Sequence, residues 1–159
     1  MPLKHKDDGW YWGSQGPFPS KDKALAVARA AHASGFKEAE MNYTIQDFVL
    51  CMLHSQTNAH ILHLQTRSYA EHKALQGYYE NIDGLIDDYV EAYQGKYGII
   101  EGYGTDYQAP AKPLEYMMGL SDYLTQARAA LPQDTELSNI LDEMAALIDK
   151  TLYKLRFLE

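Results

Sequence analysis

Three histidines and a run of carboxylates carry the chemistry this sequence offers. His60 and His63 stand three residues apart, so on a helix they share a face. His72 follows a break at Arg67-Ser68. Asp83, Asp87, Asp88 and Glu91 come next, with Asp87 and Glu91 four apart and again on one face. Imidazole nitrogens with carboxylate oxygens suit iron, zinc or manganese. An open, carboxylate-rich site favours iron chemistry with dioxygen or peroxide. The plainer reading stands beside it: acidic residues on a helix form a solvated face, and His60 and His63 hydrogen-bond within a helix interface. The Glu-x-x-His pair of the usual di-iron bundle is missing from every expected helix.

Two long helices position these groups. Asn42 or Thr44 caps the first, whose stripe runs Ile45, Phe48, Val49, Met52 and on to Gln56, His60 and His63. A neighbouring stripe (Leu50, Leu53, Thr57, Ile61, Leu64) is mostly apolar, so a wide buried face is expected. Ser68-x-x-Glu71 is a capping-box signature opening the second helix. Its apolar set is Tyr69, Leu75, Tyr79, Ile82, Ile86, Val90 and Tyr93, beside a polar stripe of Gln76, Glu80, Asp83, Asp87 and Glu91, and Gly95 is read as its end. Residues 96–113 are rich in Gly, Tyr and Pro and read as a long crossover, which lets the next helix run parallel to the last. The third helix is expected over 114–131, stopped by Pro132. Asp134 or Thr135 caps the fourth, which carries Leu137, Ile140, Leu141, Met144, Leu147, Ile148, Leu152 and Leu155. Four helices with one long middle connection make an all-α, ferritin-like four-helix bundle over residues 43–159.

A small hairpin-helix module over residues 1–36 precedes it. The first nine residues read as polar and loose. Trp10-Tyr11-Trp12 and Pro17-Phe18-Pro19 are extended segments around a Gly13–Gly16 turn. Ser20 caps an alanine-rich helix over 24–33, with Gly35 as its stop. Trp10, Tyr11, Trp12 and Phe18 either pack as a lid on the bundle or dock a partner.

Composition narrows the classes. The 159 residues are 46% hydrophobic and 23% charged, ordinary for one folded domain with a core. A net charge of −8 argues against DNA binding, which needs a basic face. No run of about 18 apolar residues exists to span a membrane, and the N-terminus lacks a signal peptide's apolar run. The single cysteine, Cys51, sits in a helical pattern and reads as a buried, inert thiol. Of the thirteen tyrosines, Tyr97, Tyr103 and Tyr107 in the crossover look like contact residues.

Two resemblances sharpen this. Gly9-Trp10-Tyr11-Trp12-Gly13-Ser14, Gly16-Pro17-Phe18 and Ser20-Lys21 through Phe36 resemble a short segment of tailed-phage proteins. That implies a phage origin, a place in the host cytoplasm and association with virion proteins. The rest resembles the Dps family, small ferritin-like proteins that oxidise and store iron. Its pattern asks for a histidine, a second twelve residues later, an aspartate four further on, and an Asp-x-x-x-Glu pair eleven beyond. His60, His72, Asp87 and Glu91 match these positions, whereas the aspartate position is Gln76 and Ile61 stands where a tryptophan commonly follows the first histidine. An amide is a weak neutral ligand where an anion is expected. Asp149-Lys150-Thr151-Leu152-Tyr153-Lys154-Leu155-Arg156 also resembles that family's closing helix. The resemblance spans 43–95 and 134–159. It implies iron as the metal and ferroxidase activity, with His60, His72 and Gln76 from one chain and Asp87 and Glu91 from another. His63 is a further candidate ligand. It also implies a homo-oligomer, a dimer at least and up to a dodecamer.

Overall fold

The computed structural model describes residues 3–6, 9–12, 15–18 and 20 and residues 43–158. The chain divides into two compact units, Met1–Met41 and Asn42–Glu159.

In the first unit β1 (Leu3–Lys6), β2 (Gly9–Trp12) and β3 (Gln15–Phe18) form an antiparallel sheet in the order β1-β2-β3. Leu3 pairs with Trp12 and Lys6 with Gly9, while Trp10 pairs with Phe18 and Trp12 with Gln15 across an irregularity in β2. The expectation of a loose start is corrected, since Leu3–Lys6 takes the second edge of β2. Its polarity is no obstacle, because edge strands tolerate lysine. The alanine-rich helix expected over 24–33 lies outside the described residues.

The second unit is an all-α four-helix bundle: α1 (Ile45–Gln65), α2 (Tyr69–Tyr97), α3 (Pro113–Ala127) and α4 (Thr135–Phe157). Three of the four starts have a local cause. Thr44 Oγ1 accepts the Asp47 N–H at 3.1 Å, Ser68 Oγ accepts that of Glu71 at 3.3 Å, and Pro113 occupies the first position of α3. Helix α2 continues past Gly95 to Tyr97. Gly98, at φ 93°, makes the turn instead. Helix α3 ends four residues before the expected Leu131. There Arg128 Nη2 donates to the Ser138 carbonyl at 3.1 Å, and Gln133 Nε2 donates to the Arg128 and Leu131 carbonyls at 2.9 and 2.6 Å. These side chains satisfy the backbone of a tight reversal, and Leu131 is still buried.

The crossover, residues 98–112, decides the topology. Buried Ile100 anchors its start, its N–H donating to Gln94 Oε1 at 3.0 Å. Gln46 Nε2, early in α1, donates to the Glu101 carbonyl at 3.1 Å. A Cβ at Gly104 would lie 3.6 Å from Leu50 Cδ2. The Tyr107 hydroxyl donates to Asn58 Oδ1, late in α1, at 2.7 Å. The segment therefore climbs alongside α1 toward its C-terminal half. Helix α3 then descends: Asn58 Nδ2 donates to the Tyr116 hydroxyl at 3.2 Å, and Tyr43 meets Tyr123 edge-on at 5.5 Å. So α3 runs antiparallel to α1 and parallel to α2. Helices α1–α2, α2–α4 and α4–α3 pack side by side, and α1 touches α3 more loosely.

The core is narrower than the sequence pattern implies. On α1 it follows Phe48, Val49, Met52, Ser55, Asn58, Ala59, Leu62 and His63. Leu53 and Leu64 of the second apolar stripe are 39% and 72% exposed, and Thr57 is exposed too. On α2, Tyr78 and Tyr89 are buried, Tyr79 and Tyr93 are half-buried, and Tyr69 is 78% exposed. A helix touching two or three neighbours buries a limited stripe, and of the adjacent Tyr78 and Tyr79 only Tyr78 is fully inside it.

Candidate functional site on helices α1 and α2

The α1–α2 reversal is built from side-chain caps. The Thr66 hydroxyl donates to the Glu71 carboxylate and accepts the Ser68 N–H at 3.1 Å, so the threonine mediates the reciprocal half of the capping box. This reversal brings His72 back onto His63.

The two rings stack at 3.6 Å with a 24° tilt. His63 Nδ1 donates to the His72 carbonyl at 2.9 Å, and His72 Nδ1 donates to the His63 carbonyl at 3.1 Å. A carbonyl only accepts, so each ring carries a hydrogen on Nδ1, and the neutral imidazole then has its lone pair on Nε2. A backbone carbonyl on Nδ1 is the orientation ligating histidines use. His60 lies on the same cluster. Its ring stacks on Tyr79 at 4.2 Å and 18°, and stands 5.8 Å from that of His63. Tyr79 also meets His63 edge-on at 5.2 Å. His63 is buried, His72 half-buried and His60 exposed.

The carboxylates lie elsewhere in the chain. Asp87 and Glu91 are exposed on α2 together with Glu80, Asp83 and Asp88. Asp87 is fifteen residues beyond His72, about 22 Å at the helical rise. Among the described residues no three His, Cys, Asp or Glu side chains stand together to hold a metal ion. None of the ion pairs there uses Asp87 or Glu91. Gln76 is engaged on both sides of its amide. Lys73 Nζ donates to its Oε1 at 2.6 Å, and its Nε2 donates to Glu80 Oε1 at 2.7 Å. Nitrogen and carboxylate donors of the right types are thus present, on two patches that one chain does not close.

Some organising groups escaped the sequence pattern. Tyr79, read as an apolar stripe member, is the aromatic base of His60. Asn58, at the loose α1–α3 contact, bridges Tyr107 and Tyr116. Ser55 shares a 2.7 Å hydrogen bond with the buried Tyr78 hydroxyl. Asp134 precedes α4 as expected but makes no side-chain cap. Its carboxylate instead takes Lys96 Nζ and the Tyr97 hydroxyl, which hold it below the usual carboxylate range. Burial pushes the Cys51 thiol up to about 12, and a hydrogen bond with Tyr123 opposes this only in part. Cys51 is half-buried rather than fully buried as expected, and at neutral pH its raised thiol leaves little of the reactive thiolate. Burial likewise raises Tyr78, Tyr116 and Tyr123 above the ordinary phenol.

The side chains of Trp10, Tyr11, Trp12 and Phe18, the expected docking residues, lie outside the described ones. Among the described residues no helix is long and apolar enough to cross a membrane. No curated protein and no solved structure matches the chain. One family model does match, over residues 63–155, from the stacked His63 to the last turns of α4. Those residues are more than half of the chain, and they place it in the family of unknown function DUF5856.

Proposed function

We propose that this chain is a Dps-like, ferritin-fold homo-oligomer that binds iron between copies and oxidises it with dioxygen or peroxide. The observation that carries this reading is the division of the ligand positions. His60 and His72 share one cluster, while Asp87 and Glu91 are exposed and unpaired among the described residues, about 22 Å along α2. One chain cannot close such a site, but two α2 helices laid antiparallel can. The overlap that sets His72 opposite the Asp87 and Glu91 of a second copy brings Lys73 level with its Asp88. It also covers Leu64 and Tyr69, whose exposure has no use in a lone bundle. Fe(II) would enter as substrate, drawn by the acidic face, and lose one electron per ion to the oxidant.

Gln76 favours a second reading. An amide tied between Lys73 and Glu80 stands where the resemblance asks for an aspartate. The bundle would then be a non-catalytic phage structural or adaptor component, docked through its N-terminal module.

Fe(II) binding and oxidation by the full chain, at a measured oligomeric state and beside His60→Ala/Glu91→Ala, separates the two. Stoichiometric binding with oxidation that the variant loses supports the first. A folded oligomer that binds no Fe(II) overturns it.

A further inference from the structure

We infer that His63 is not a ligand but a positioning residue, whose ring holds His72 in the orientation that offers Nε2 to an ion. This rests on the reading proposed above, in which His60 and His72 ligate.

The last carbonyls of α1 have no partner within the helix. That of His63 is one of them, and His72 Nδ1 donates to it at 3.1 Å. The bond is returned across the same reversal, where His63 Nδ1 donates to the His72 carbonyl at 2.9 Å. The rings stack at 3.6 Å, so His72 is fixed by a hydrogen bond from its own ring and by a flat surface behind it. That surface is itself held, because Tyr79 meets His63 edge-on at 5.2 Å.

Two stacked imidazoles cannot share an ion. An imidazole ligates along a lone pair in its own ring plane, with the ion about 2.1 Å from the nitrogen and so about 3 Å from the ring centre. Over that length a 24° tilt closes at most about 1.5 Å of the 3.6 Å between the rings. An ion on His72 then lies about 2 Å out of the plane of His63, whose lone pair points past it. One ring of the pair ligates and the other supports. Burial decides which. His63 is 8% exposed, whereas His72 is half-buried and can be reached by an ion held between two copies. Removing a support of this kind costs about 10–100-fold in metal affinity, although the support never touches the ion.

The test titrates Co(II), a coloured stand-in for Fe(II), into the full chain at its measured oligomeric state. His63→Phe keeps a flat ring behind His72 and has no ligating atom. It should bind as many ions per chain as the parent, with the same visible absorption bands. His63→Ala removes the backing. It should keep those bands at saturation and raise the half-saturating Co(II) about 10–100-fold. His72→Phe should lose them. In the metal-free parent, nitrogen NMR should find the proton of the neutral His72 ring on Nδ1, and in His63→Ala it should find the two tautomers mixed. Lost or altered bands in His63→Phe, unchanged affinity in His63→Ala, or a His72 proton on Nε2 in the parent overturns the inference. If His63→Ala fails to fold, His63→Phe and the parent's tautomer still decide. A parent that binds no Co(II) overturns the iron reading together with this one. Binding by the parent that His63→Phe abolishes overturns this one alone.

Discussion

Asn58 is the side chain that ties α1, the crossover and α3 together, and replacing it tests the topology directly. It is buried, its amide donates to the Tyr116 hydroxyl at 3.2 Å, and its carbonyl accepts from Tyr107 at 2.7 Å. Asn58→Leu keeps the branching at Cγ and removes both bonds. Each neutral hydrogen bond contributes about 0.5–1.5 kcal/mol net, and a buried hydroxyl left without its partner costs about 1–3 kcal/mol. Tyr116 is deep enough to bear that second cost, since burial raises its phenol well above the ordinary range. Tyr107 is exposed and turns to water. The expected loss is about 2–4 kcal/mol in urea unfolding followed by circular dichroism, with the midpoint lowered and the slope unchanged. Removing both partners is less costly than removing one. Asn58→Leu/Tyr116→Phe should therefore recover about 1 kcal/mol or more relative to Asn58→Leu, a coupling read by the double-mutant cycle. A loss under about 0.5 kcal/mol for Asn58→Leu, or strictly additive costs in the double variant, would refute the account of Asn58 as the junction.

Three further outcomes are expected. With its thiol pushed up to about 12, Cys51 should react with a disulfide reagent at pH 8 at least about a thousandfold more slowly in the native chain than in urea. Equal rates would mean the thiol is open. Asp134 is held below its ordinary range by Lys96 first and Tyr97 second, so its contribution to stability is fully present above the unfolded carboxylate pKa, about 3.9. That contribution is lost as pH falls through the lower folded value, and Asp134→Asn should flatten the acid limb of a pH–stability curve below about pH 4. An unchanged acid limb would mean that Lys96 and Tyr97 do not stabilise the Asp134 carboxylate. Gly95 and Gly98 should respond oppositely to alanine. Within the helix and with open space at Cβ, Gly95→Ala should stabilise by up to about 1 kcal/mol, whereas Gly98→Ala, at φ 93°, should destabilise by about 1–2 kcal/mol. Thermal melts that shift the same way for both would place the turn wrongly.

The sequence by itself determined the number, type and order of the bundle helices. Apolar spacing, Thr44, Ser68 and Pro113 are local signals, and backbone hydrogen bonds and caps act over a few residues. It also supplied the long middle connection and the histidine and carboxylate positions. The tertiary structure decided which faces are inside. Leu53, Leu64 and Tyr69 are as apolar as the core residues beside them, yet they remain exposed because burial depends on which neighbour a face meets. It decided that Gly98 and not Gly95 makes the turn, since a glycine marks a turn only where φ must be positive. The stacked histidines were equally beyond local reading: His63 and His72 are nine residues apart, and only the Thr66–Glu71 reversal brings their rings to 3.6 Å. The same helix that unites those two rings keeps Asp87 about 22 Å from them, because an unbroken α-helix advances about 1.5 Å per residue whatever its side chains could ligate.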